Sequence, residues 1–188
     1  MAGHRHPPRP HHEGPHHHGA APVTTAPVPV TGALRPLDEA ELAAWLIVSV
    51  ADYTDDLEAS GLSRAAAENK AADAIRREFP GGRPAAGQHV YAVTVAGEHV
   101  GVLWLAAGPA DDPTNWWILD ILVFEQFRGR GHGRRAMLLA ETEAARLGAA
   151  KLTLNVFARN APARALYASL AYEPTKIVME KTLTLPAS

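Results

Sequence analysis

Six consecutive residues, Arg128-Gly129-Arg130-Gly131-His132-Gly133, have the composition of an anion cradle. They follow an apolar run ending Leu122-Val123-Phe124 and precede a helical pattern that opens near Arg134. Backbone N–H groups unobstructed by Cβ atoms would therefore converge at a helix N-terminus. The helix macrodipole adds about 0.3–1 kcal/mol for a negative ligand, and Arg128, Arg130, Arg134 and Arg135 add positive charge around it. Just upstream, Asp120 is the one ionisable group between Trp116 and Phe124. Apolar surroundings raise a carboxyl pKa toward the range where it can accept a proton. Asp120 is thus either a general base or a carboxylate that orients substrate or holds a neighbouring strand. The sequence contains no cysteine and no serine in a G-x-S-x-G setting, so neither a thiol nor an elbow serine is available as nucleophile.

Several ligand classes use glycine-rich loops, and spacing separates them. A nucleotide P-loop requires Gly-Lys-Ser/Thr, whereas this loop continues Gly133-Arg134-Arg135, lacking both the lysine and the magnesium-binding hydroxyl. The dinucleotide pattern G-x-G-x-x-G fails because its third glycine falls on Arg134. The spacing that fits is R-x-x-G-x-G, met by Arg128, Gly131 and Gly133. With a second signature at Asn160-Ala161-Pro162-Ala163-Arg164-Ala165-Leu166-Tyr167, the sequence resembles the GNAT superfamily of N-acetyltransferases from about Leu34 to Leu185. The resemblance implies that backbone amides of Arg128, Gly129, Arg130, Gly131, His132 and Gly133, with Arg134 beside them, bind the pyrophosphate of acetyl-CoA. It implies that the backbone of Leu122 and Val123 pairs with the pantetheine arm and that Asn160 contacts the cofactor. Tyr167 would be the family's tyrosine near the departing sulfur, with a half-buried helix tyrosine as the plain alternative. Many relatives carry a glutamate where this chain has Leu122, which leaves the base to Asp120 or to a water that Asn155 could orient. The ring of His132 is expected to face solvent.

The elements that must position these groups are legible from periodicity. Thr31–Leu37 reads as a short strand, Asp38 with Glu41 as a capping box opening a helix, Gly61 as its stop, and Ser63 as the cap of a second helix. Gln88–Val95, a turn at Ala96-Gly97 and His99–Ala107 form a hairpin pattern. Trp116–Phe124 reads as a central strand covered on both faces. A helix from Arg134, a strand Lys151–Phe157, a helix from about Asn160 and terminal strand material over Tyr172–Leu185 complete the chain. Trp45, Trp104 and Trp116 are read as core, and His89 and His99 as surface or edge residues. The order predicts an α/β fold of GNAT type: a mixed, mostly antiparallel sheet flanked by helices on both faces.

Of the 188 residues, the first 30 are a His- and Pro-rich tail and linker that cannot pack a core, leaving residues 31–188 as one acyltransferase domain. A net charge of −2 gives no basic field for nucleic acid. No apolar run is long enough to span a membrane, and the chain reads as soluble and cytoplasmic. No metal is required; histidines of the tail could hold one, but a disordered leader is the simpler reading. The expected activity is transfer of an acetyl group to a primary amine of a small molecule or protein by direct attack. An amine of pKa about 10.4 carries a handicap of roughly 4–5 kcal/mol at pH 7 if it must first be neutral, so a base is needed. The alternative is a non-catalytic acyl-CoA sensor of the same fold, and pairing into a homodimer through terminal strands is compatible with either. The acidic residues Asp52, Asp55, Asp56 and Glu58 could attract a cationic acceptor or form a solvated helix face.

Overall fold

The computed structural model describes residues 32–179, 181 and 183; the His-rich tail lies outside the described residues. Strand β1 (Ala33–Pro36) is followed by α1 (Glu39–Ala59) and α2 (Arg64–Glu78), then by β2 (Gln88–Val95), β3 (Glu98–Ala106) and β4 (Asn115–Val123). Helix α3 (His132–Arg146), strand β5 (Lys151–Leu154) and helix α4 (Ala161–Ala168) complete the order. The strands lie in the order β1-β2-β3-β4-β5. The first three pairings are antiparallel and β4–β5 is parallel.

Local signals set the helix starts. Asp38 Oδ1 accepts from the Glu41 N–H at 2.8 Å while Glu41 Oε2 accepts from the Asp38 N–H at 3.0 Å, the reciprocal capping box its sequence called for. Ser63 caps α2 through the Ala66 N–H. Helix α3 begins two residues earlier than Arg134, because Gly131 takes the left-handed N-cap position with φ +79°.

Each face of the sheet has its own core. One packs Leu42 and Trp45 of α1 and Phe79 after α2 against Val90, Val102 and Trp104. The other packs Ala136, Met137, Ala140 and Ala144 of α3 against Val93, Leu103, Leu105, Trp116 and Ile118. Three expectations need correction. β5 ends at Leu154, so Asn155 is an exposed residue beyond the strand. Tyr172–Met179 forms no strand, and Ile177 and Met179 are 77% and 90% exposed; strand propensity without a face to bury does not make a strand. His89 and His99 stand on interior strands, His89 over Tyr91 and Trp116 and His99 against Phe124.

Candidate active site

The site is built on the second half of β4. In its first half, Asn115–Ile118 pair with Lys151–Leu154 on one side, and Trp117 and Ile118 pair with Ala106 and Leu105 of β3 on the other. Beyond Ile118 the partner β5 ends, and Leu119–Val123 keeps only β3. Both faces of β4 are covered, as its sequence predicts, but beyond Ile118 it has a paired neighbour on one edge only. At the junction Trp104 pairs with Asp120 and Leu105 with Ile118, leaving Leu119 as the extra residue of a β-bulge. The bulge reverses the alternation. Trp116 and Ile118 point into the core under α3, and unbroken period two would have sent Asp120 there as well; instead Ile121 packs on that core while Leu122 and Phe124 pack on the α1 side. Asp120 joins the α1 side, where the indole Nε1–H of Trp45 donates to its Oδ2 at 3.0 Å.

Burial pushes the Asp120 carboxyl up to about 6; the Trp45 indole and the Ile121 backbone N–H oppose the rise, and the negative charge of Asp52 adds to it. Tyr167 of α4 is raised above the ordinary phenol range first by burial and then by the charge on Asp120. The structure thus brings Asp120 and Tyr167 within electrostatic reach of one another, from opposite sides of the place where β4 and β5 part. Of the four acidic residues near the end of α1, Asp55 and Glu58 are taken by Arg64 and Asp56 by Arg159, which supports the solvated-face reading for those three. A cavity of about 210 Å³ lies between α1 and the ends of β3 and β4, lined by Trp45, Val48, His99, Leu122 and Phe124 among others.

The Phe124 N–H donates to the Val100 carbonyl at 3.0 Å, so by antiparallel alternation the Gly101/Val123 pair is a non-hydrogen-bonded one. Val123 therefore turns its N–H and C=O toward the open edge, and Leu122 turns its own toward β3. Only the first fits the expected strand-like pairing with a ligand arm; Leu122 can contribute its side chain. Arg128 Nε donates to the outward Val123 carbonyl at 3.1 Å.

The loop itself has the shape its sequence implied. Gly129 and Gly131 hold φ of +74° and +79°, and a Cβ built on either meets nothing within 4 Å. No side chain caps α3, so N–H groups of its first turn are left for a ligand. These features, with the outward N–H of Val123, fit an anionic pyrophosphate followed by an amide-bearing arm. Gly133 serves differently: a Cβ there would lie 3.3 Å from Leu166 Cδ2, so it admits α4 closely. Arg134 likewise reaches α4, bonding Ser169 Oγ. The expectation for the His132 ring is overturned, since it packs edge-on to Phe127 and its Nδ1 is buried without a hydrogen-bond partner. Asn160 is the N-cap of α4, its Oδ1 accepting from the Ala163 N–H at 3.2 Å, which leaves its amide N–H groups outside that bond. What sequence reasoning missed is Trp45 as the partner of Asp120; the two are 75 positions apart, and only the fold brings them together.

Residues 51–172 match the family model described as the acetyltransferase (GNAT) family. This chain belongs to the GNAT acetyltransferase family. It is 32% identical over 152 residues, 80% of this chain and 97% of the relative, to YdgE of Bacillus subtilis, described as an uncharacterized N-acetyltransferase. The crystal structure of YycN from the same organism superposes with a TM-score of 0.76 at 27% identity, covering 82% of this chain and all of that one. An aminoglycoside acetyltransferase from a soil metagenomic sample, solved with sisomicin, shares the fold at a TM-score of 0.51 and 12% identity, covering 82% of this chain and 97% of that one. The GNAT chain described here is accordingly an acyltransferase, and the mostly antiparallel sheet between two helical layers is the family's fold. No described helix is long and apolar enough to cross a membrane.

Proposed function

We propose that this GNAT acyltransferase moves an acetyl group from acetyl-CoA to a primary amine of a small molecule or protein, by direct attack in a ternary complex. The observation that carries the reading is that Asp120, turned to the α1 side by the bulge with its carboxyl pushed up to about 6, lies within electrostatic reach of the Tyr167 phenol. Acetyl-CoA supplies an acyl carbon already activated as a thioester. The loop from Arg128 to Gly133 holds the pyrophosphate through backbone N–H groups at the start of α3, assisted by Arg130 and Arg135. Val123 holds the arm through its outward N–H, and Asn160 adds amide donors from the cap of α4.

Asp120 takes a proton from the acceptor, directly or through one water, as the N–C bond forms. A carboxyl titrating near 6 is mostly ionised at pH 7 yet basic enough to be useful. A backbone N–H at the open edge of β4 donates to the oxyanion that develops. Tyr167 gives its proton to the thiolate as the C–S bond breaks. Burial keeps that phenol protonated at neutral pH, the state a general acid requires. The acceptor approaches from the α1 side, past Asp52.

The test is thiol release from acetyl-CoA against a panel of primary amines, comparing wild type with Tyr167→Phe. The expected result is turnover with at least one amine and a loss in kcat of about 10²-fold or more in the variant, the scale of general-acid catalysis. Full turnover by Tyr167→Phe would remove the tyrosine from the mechanism. Tight acetyl-CoA binding with no thiol release for any amine would favour the sensor alternative.

A further inference from the structure

We propose that Trp45 is a positioning residue for Asp120, its indole N–H holding Oδ2 and thereby the orientation in which the carboxylate meets the acceptor. The inference rests on the reading of Asp120 as the base and goes beyond it by naming what holds that base. Trp45 is 4% exposed and makes edge contacts with Phe79 at 5.7 Å and Trp104 at 5.5 Å, while Phe79 and Trp104 meet at 5.0 Å. The three rings pack edge to face, at 66°, 84° and 62° to one another, so packing as well as the carboxylate aims the indole N–H.

Any buried indole needs an acceptor, and the neighbouring Trp104 shows the ordinary solution. Its Nε1–H donates to the neutral amide oxygen of Gln88 at 2.7 Å. Trp45 could be satisfied by such an amide too. That its acceptor is an ionisable carboxylate, turned to this face only by the bulge at Leu119, separates the contact from routine satisfaction of the core. A donor to one carboxylate oxygen favours the charged form and restricts rotation of the group, a restraint to which the Ile121 backbone N–H adds. The titratable groups that bear on Asp120 among the described residues are Asp52 from α1, which opposes ionisation, and Tyr167 from α4. Neither supplies the hydrogen bond that Trp45 does.

The experiment reads the carboxyl directly. Carboxyl-13C NMR titration of the full chain, with the Asp120 signal assigned by its absence in Asp120→Asn, is compared between wild type and Trp45→Phe, alongside pH profiles of kcat and of the KM for acetyl-CoA. Replacement of Trp45 by benzothienylalanine exchanges the N–H for sulfur at nearly the same shape and supplies the answer if Trp45→Phe does not fold. The expected result is an upward shift of the Asp120 midpoint by about one pH unit, the order of one charge-assisted hydrogen bond. The acid limb of kcat should move with it while the KM for acetyl-CoA stays put. A midpoint unchanged on loss of the N–H overturns the proposal alone. A midpoint that moves while the rate profile does not overturns the role of Asp120 as base, and the proposal with it.

Discussion

The two halves of β4 are made from similar residues and do different work. Asn115–Ile118 pairs throughout with β5 and, at Trp117 and Ile118, with β3 as well, and Trp116 and Ile118 are 6% and 5% exposed. Leu119–Val123 is equally apolar in sequence but loses a neighbour, acquires a bulge and carries the carboxylate. The difference teaches that in this fold a strand becomes a site where it stops being fully paired. The Val123 N–H left over by β5 is open to a ligand, and the bulge redirects a polar side chain that regular pleating would have buried under α3.

The comparison predicts that damage to the first half costs the fold and damage around the second costs function. Trp116→Ala should lower unfolding free energy by about 3–5 kcal/mol through cavity formation, measured by urea denaturation; a loss below about 1 kcal/mol would mean that the two halves are not so unequal. Gly131→Glu places a carboxylate in the cradle at a left-handed position. It should weaken acetyl-CoA binding by about 10²-fold, near 2.7 kcal/mol, with circular dichroism unchanged, and calorimetry reads the affinity.

Asp120→Asn sharpens the contrast most, because function and stability should move in opposite directions. The Asp120 carboxyl titrates near 6 in the fold against an ordinary 3.8, so the folded state favours its protonated form. Wild-type stability from this group is complete below about pH 4, declines as pH rises toward 6 and is lost above it. Asp120→Asn, lacking that charge, should therefore be more stable than wild type at pH 8 by about 1–3 kcal/mol and no more stable at pH 4, while its kcat falls. Denaturation at the two pH values checks this, and equal differences at both would break the assignment of a raised carboxyl.

Local chemistry explains which features the sequence disclosed. The capping box at Asp38 and Glu41, the hairpin of β2 and β3 and the left-handed glycines before α3 each depend on a few neighbouring residues, and each appears as its pattern required. The bulge at Leu119 did not show, because a run that is apolar throughout has no alternation whose reversal can be seen. The bond from Trp45 to Asp120 is set by how α1 lies on the sheet, which no window of sequence contains. Tyr172–Met179 looked like a strand by composition, but a strand needs a neighbour and a face to bury, and neither is encoded locally. The burial of the His132 ring is hidden from the sequence for a similar reason, since Phe127, five residues earlier, packs edge-on against it after the turn at Glu125–Phe127.

The contact of Arg128 with the Val123 carbonyl has a consequence for how the molecule survives in a crowded solution. An unpaired stretch of strand invites edge-to-edge association with other chains, and natural sheets commonly protect such stretches with a basic side chain. Here the guanidinium occupies one outward acceptor of the half-strand, the Val123 carbonyl, and sets a positive charge beside it. The edge that must stay open to receive a ligand is thereby defended against aggregation by a residue of the same loop that receives the ligand.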